Sequence, residues 1–261
     1  MLYLMERLRD PVDGCPWDLK QSFETIVPFT LEEVYEVVDT IERGDYPHLK
    51  EELGDLLFQV VFYAQLGREQ NLFDFSGVVS TLVAKLISRH PHVFPEGTLN
   101  SRRDPNSDIQ EDQIKRTWEA LKQDERGTKG RHGVLDDIPQ SLPAIVRAQK
   151  LQKRAARVGF DWPDIEGVLD KIIEEANELK QAIASKDSSH IEEEVGDLLF
   201  SCVNLGRHLG VENEGALRRT SNKFERRFRY IEECAEAEGK SVEQMTLTEM
   251  DQLWNRAKDH V

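Results

Sequence analysis

Cysteine is scarce in this chain: Cys15, Cys202 and Cys234 stand far apart, odd in number and without C-x-x-C spacing. That excludes a disulfide framework and a cysteine-based zinc site, and it fits a reducing cytoplasm. Long apolar runs are missing as well. The opening Met1-Leu2-Tyr3-Leu4-Met5 is interrupted by Glu6, Arg7 and Arg9, so no signal peptide is expected, and no stretch approaches the roughly 18 residues of a membrane span. Basic charge is in deficit, with 34 Lys and Arg against 49 Asp and Glu and a formal net charge of −15. This balance opposes stable binding to nucleic acid or to an anionic membrane, so a phosphorylated ligand would need a cation between it and the protein.

Convincing strand alternation is also lacking, while 39% hydrophobic and 32% charged residues describe a globular chain with a highly charged surface. Its organisation comes from a repeat. Gly54-Asp55-Leu56-Leu57-Phe58 recurs as Gly196-Asp197-Leu198-Leu199-Phe200, an offset of 196 − 54 = 142. At the same offset Glu32-Glu33-x-x-Glu36 falls on Glu174-Glu175-x-x-Glu178, and Glu51-Glu52 falls on Glu193-Glu194. Further on, Lys85-x-x-x-Arg89 resembles Lys223-x-x-x-Arg227, and Trp118-x-x-x-Lys122 resembles Trp254-x-x-x-Lys258.

Each copy reads as an αα-hairpin. The first has helices over 32–43 and about 48–67, joined by the turn Gly44-Asp45-Tyr46-Pro47; the second has a helix ending before Ser185-Lys186-Asp187-Ser188 and another over about 191–209. Further helices are expected near 75–90, 110–122, 141–157, 213–238 and 246–259. The fold class is therefore all-α, with two tandem helical bundle units over 1–122 and 141–261 and a linker over 123–140, whose first part is polar and glycine-rich.

On one helix Glu175 and Glu178 project from nearly the same face, as do Glu194 and Asp197 on the returning helix, so the hairpin can gather all four. Like charges that close cannot all stay ionised without a counter-charge, and oxygen-only ligands select hard cations such as Mg²⁺, with Mn²⁺ as a substitute. Glu33, Glu36, Glu52 and Asp55 form the second-choice metal set in the first unit. Asp55 and Asp197 precede Leu-Leu-Phe, which places them near the core. Either hairpin alone would read as a solvated acidic face; repetition at fixed spacing argues for more. Lys223 and Arg227, at i and i+4, can reach one anion, Lys171 stands one turn before Glu175, and Trp254 with Lys258 suits base stacking plus phosphate contact.

The pattern E-E-x-x-E, 15 residues, E-x-x-D, present twice, resembles the signature of the MazG family of all-α nucleoside triphosphate pyrophosphatases. Gly14-Cys15-Pro16-Trp17-Asp18, His90-Pro91-His92-Val93-Phe94, Asp136-Asp137-Ile138-Pro139 and Val158-Gly159-Phe160-Asp161-Trp162 extend the likeness over nearly the whole chain. It implies hydrolysis of nucleoside triphosphates to monophosphate and pyrophosphate, a homodimer with intertwined helices, and nucleotide clearance with a role in stress. It also implies Mg²⁺ on Glu175, Glu178, Glu194 and Asp197, with Lys171, Glu174, Lys223, Arg227, Trp254 and Lys258 around the nucleotide. Glu174 or Glu175 would then activate water, and Lys223 and Arg227 would stabilise the departing charge.

Two rival readings stand beside it. A di-iron carboxylate bundle wants Glu-x-x-His where this chain has Glu-x-x-Asp, and a helical regulator could bind nucleotide without turning it over. Within the leading reading the units should be unequal, because Lys171 falls on Phe29 at the 142 offset and the first unit so lacks a cation beside its acidic cluster.

Overall fold

The computed structural model describes residues 1–104, 114, 117 and 133–260, and the described residues are helical with turns and no strand. They fall in two compact units, Met1–Glu125 and Arg126–Val261. No described helix is long and apolar enough to cross a membrane.

In the first unit α1 (Leu2–Leu8) packs on a hairpin of α2 (Phe23–Arg43) and α3 (Tyr46–Glu69), followed by α4 (Phe75–Arg89). Ser22 caps α2 through a capping box with Thr25, so the helix starts nine residues before the expected Glu32. Pro28 inside α2 is what disguised that start, since proline ordinarily ends a helical pattern. Gly44 closes α2 in the left-handed region at φ 69°, and Asp45 then caps α3 by accepting from the His48 N–H. Thus Tyr46 and Pro47, expected in the turn, form the first turn of α3, where proline loses no helical hydrogen bond. The core of this unit is Met5, Ile26, Val61, Phe62 and Leu66, flanked by Phe23, Phe58, Tyr63 and Phe75.

The second unit has α5 (Ala144–Ala156), a hairpin of α6 (Ile165–Ser185) and α7 (Ser188–His208), then α8 (Asn213–Ala237) and α9 (Leu247–His260). Asp164 and Asp187 cap the two hairpin helices. Lys186, in the place of Gly44, takes the left-handed position at φ 59°. A separate core of Ile231, Ala235, Met245 and Leu253 joins α8 to α9. Of the helix expected over 110–122, Ile114 and Thr117 are helical, and the rest, with Trp118 and Lys122, lies outside the described residues, as does most of the expected linker.

Candidate metal and nucleotide site

The α6–α7 hairpin brings ligand oxygens of Glu175, Glu194 and Asp197 within 4.8 Å of one another. Glu175 is 4% exposed and Glu194 8%. Water therefore cannot absorb their charges, and each needs a local partner. Glu175 has one: the Lys171 ammonium lies 2.8 Å from it and 2.9 Å from Glu174. Those bonds, Glu175's first, hold the Lys171 pKa well above the ordinary lysine value. Glu194 accepts from His190 Nε2 at 3.0 Å through one oxygen, while its Oε2 is buried with no hydrogen-bond partner. A buried, unpartnered carboxylate oxygen beside two further carboxylates fits a hard cation. Glu178 stands outside the tightest three, and desolvation, then the charges of Glu194 and Glu175, raise its pKa.

The first unit repeats the arrangement with one change of membership. Ligand oxygens of Glu33, Glu36 and Glu52 come within 4.8 Å of one another, without Asp55. His48 Nε2 lies 3.0 Å from Glu52, as His190 does from Glu194. Sequence reasoning missed this pair of histidines. The signal was present, since both stand four residues before their glutamate and 142 residues apart.

One expectation needs correction: Asp55 and Asp197 are exposed and not near the core. The reasoning rested on Leu-Leu-Phe being a buried face, but Leu199 is 60% exposed and Leu57 and Phe200 are open too. On these two helices, α3 and α7, the buried carboxylates are the glutamates one turn earlier, Glu52 and Glu194.

Beside the second cluster lies a cavity of about 790 Å³, walled by α5, α6, α7 and the segment Gly159–Trp162. Lys171, Glu175 and Asp197 line it together with Phe160, Trp162, Gln152 and Asn204. Gly159, at φ 86°, turns the chain after α5 where any side chain would be strained. Asp161 then fixes the segment to α7, with Arg207 bonded to both its oxygens and His208 Nε2 at 2.9 Å. The Arg207 hydrogen bonds chiefly, against desolvation, hold the Asp161 pKa below its ordinary value. Asp161 stands in the Val158–Trp162 tract that carries the family resemblance, but its partners Arg207 and His208 were not singled out from sequence, because a loop and a helix 46 positions away share no periodicity.

At the 142 offset, the three residues that open this space have different counterparts in the first unit. Phe62 replaces Asn204 and is fully buried in the core, Gln59 replaces Ser201 and donates to Glu33 Oε1 at 3.3 Å, and Phe29 replaces Lys171.

Lys223, Arg227, Trp254 and Lys258 lie on α8 and α9, and none of them lines the cavity. The Arg227 guanidinium sits over the Trp254 ring, 5.6 Å from its centroid, and Phe224 packs on the same ring at 5.1 Å. Lys258 donates to Asn255 at 2.7 Å, and Lys223 is exposed.

The fold and the site together define an all-α protein of paired acidic hairpins, one of them joined by a lysine and a ligand-sized cavity. Residues 21–94 and 164–236, the two hairpin regions, match the MazG nucleotide pyrophosphohydrolase domain. The chain is 48% identical to the nucleoside triphosphate pyrophosphohydrolase of Escherichia coli K12 over 99% of its length and 95% of that protein. It is 43% identical to the nucleoside triphosphate pyrophosphohydrolase/pyrophosphatase MazG of Thermotoga maritima, over 99% of this chain and 94% of that one. The chain belongs to the MazG nucleotide pyrophosphohydrolase family.

Proposed function

We propose that the protein is an enzyme that hydrolyses nucleoside triphosphates to the monophosphate and pyrophosphate at its second unit, and clears nucleotides in the cytoplasm, including under stress. The observation that carries this reading is the coincidence, in a MazG-family chain, of three clustered carboxylates, the orphaned Glu194 Oε2, Lys171 and a cavity at one place.

Glu175, Glu178, Glu194 and Asp197 would hold Mg²⁺, with Mn²⁺ able to replace it. When bound, such an ion neutralises phosphate charge and makes its water more acidic. Glu174, exposed and held by Lys171, is placed to take the proton of an attacking water, with Glu175 as the alternative base. The anhydride link between the α and β phosphorus atoms breaks as the water oxygen bonds to phosphorus, and pyrophosphate leaves with the bridging electron pair. Lys171 lies within reach of a phosphate chain bound at the carboxylates and would offset its charge.

Lys223, Arg227, Trp254 and Lys258 complete the nucleotide site in this proposal through a homodimer in which α8 and α9 of one protomer meet the hairpin of the other. Support comes from the exposed apolar residues Ile173, Leu199, Leu217 and Phe224 on α6, α7 and α8, more than a charged monomer surface ordinarily leaves open. Sedimentation at the 30.1 kDa monomer mass would refute that part. The activity itself is tested by incubating the protein with a mixed nucleoside triphosphate panel and Mg²⁺. Pyrophosphate should appear first, and orthophosphate as the first product would overturn the assignment.

A further inference from the structure

The two hairpins share a feature that metal ligation and hydrolysis, as described above, leave unused. Each returning helix carries a histidine at its third position, His48 in α3 and His190 in α7, and each ring meets the buried glutamate one turn on. His190 Nε2 lies 3.0 Å from Glu194 Oε1, and His48 Nε2 lies 3.0 Å from Glu52 Oε1. An ionised carboxylate only accepts, so the imidazole is the donor in both pairs. The backbone under each ring is held as well: the capping carboxylates of Asp187 and Asp45 accept from the His190 and His48 N–H groups at 3.3 Å.

Helix stability does not account for this residue type. The first turn of a helix favours acidic or amide side chains, which serve its free N–H groups and the positive end of its dipole, and histidine brings neither advantage. Both rings are exposed, so they add nothing to a core. An i, i+4 pair on a solvated face contributes little, but here the glutamate end is buried, and the pairing occurs twice. Glu194 and Glu52 each belong to a group of three carboxylates whose ligand atoms lie within 4.8 Å of one another. Neither histidine is a member of those groups, and a hard cation prefers oxygen to imidazole nitrogen.

Before a cation arrives, Glu175 and Asp197 repel the Glu194 carboxylate, and its last torsion is soft. A hydrogen bond to one oxygen resists both effects: it fixes the plane of the group and leaves the other oxygen to the metal. We propose that His190 is a positioning residue for the metal site, holding Glu194 Oε1 so that the cation meets a carboxylate already in place. The inference rests on the reading of the acidic hairpin as a hard-cation site, and it gives the imidazole no bond to metal or nucleotide.

The test is Mn²⁺ binding to the full chain by titration calorimetry, in which the binding step lost from Asp197→Ala belongs to the second unit. In His190→Leu that step should weaken about ten- to one-hundred-fold, the usual cost of removing the partner behind a metal ligand. His190→Gln, whose amide N–H can reach the same oxygen, should recover most of the affinity. Pyrophosphate release should follow the binding: His190→Leu needs more Mg²⁺ for its half-maximal rate by a similar factor, while kcat at saturating Mg²⁺ stays within about two-fold. Unchanged Mn²⁺ affinity in His190→Leu, or an equal weakening in His190→Gln, would overturn the proposal. A kcat that stays depressed at saturating Mg²⁺ would overturn it too, by placing His190 in the bond-breaking machinery, as would a directly bound nitrogen in the electron paramagnetic resonance of Mn²⁺ on the unsubstituted protein, by making the ring a ligand. If the unsubstituted protein binds no Mn²⁺, the metal reading falls and takes this inference with it; if it binds Mn²⁺ and His190→Leu binds it as tightly, only the inference falls.

Discussion

Replacing Lys171 with alanine should destabilise the second unit in the absence of metal and do so much less in its presence. The ammonium is 2.8 Å from Glu175, whose side chain is 6% exposed, while Lys171 itself is 34% exposed. Breaking a fully buried ion pair from one side costs roughly 3–5 kcal/mol. Solvent reaches the lysine end, so the loss here should be about 1–2 kcal/mol. At about 3–4 °C per kcal/mol for a unit of this size, the melting temperature should drop by about 3–8 °C. The Lys171 pKa is raised in the folded state, so its contribution is fully present below the ordinary lysine value near 10.4 and is lost only as the pH rises through the higher folded value. Measurements at pH 7 therefore see all of it. A cation on Glu175 and Glu194 would replace the missing charge, so saturating Mg²⁺ should shrink the deficit to about 0.5 kcal/mol or less. Calorimetry of both proteins in chelator and in Mg²⁺ provides the comparison. An equal deficit under the two conditions would refute the idea that lysine and metal balance the same carboxylates.

Three further outcomes are expected. Asp197→Ala should abolish pyrophosphate release while the far-ultraviolet circular dichroism stays unchanged, because Asp197 is exposed and contributes little to the core; loss of helicity would point to a structural role instead. Asp161→Asn should cost about 1–2 kcal/mol of stability, measured by urea unfolding, by weakening the clamp on Arg207 and His208. Since the Asp161 pKa is lowered by folding, that contribution is present above about 3.9 and is lost as pH falls through the lower folded value, so the variant should lose less stability on acidification. Lys186→Gly, at a left-handed helix end, should raise stability by about 1 kcal/mol in the same assay, and a loss would mean that the lysine side chain has a compensating contact.

Much of the fold was legible because repetition filters noise. A Glu-rich helix alone means little, but two hairpins with the same five residues at the same offset give the helices, the turn and the acidic set together. Helix ends were less legible where local chemistry opposed the pattern, as with Pro28 inside α2 and the short helix α1, whose seven residues read only as an apolar start. At the site, i, i+4 spacing correctly paired Lys171 with Glu175. The same spacing relates Lys223 to Arg227 without revealing which neighbour their helix meets. Spacing describes one helix at a time, whereas the cavity depends on α5, a loop and a hairpin brought together. Gln152, Asp161 and Arg207 therefore left no periodic trace. The exposure of Asp197 was hidden for a related reason: an apolar triplet shows that a face can be buried, not that this chain buries it.

The central claim is that turnover belongs to the second unit. In that unit the acidic cluster adjoins Lys171 and a cavity, whereas at the corresponding positions the first unit has Phe29 and the buried Phe62. The direct measurement compares Glu36→Ala with Glu178→Ala in the full chain, following pyrophosphate release with Mg²⁺ across the common and several damaged nucleoside triphosphates. Glu178→Ala should remove nearly all activity and Glu36→Ala little of it. Equal loss from both, or greater loss from Glu36→Ala, would contradict the account.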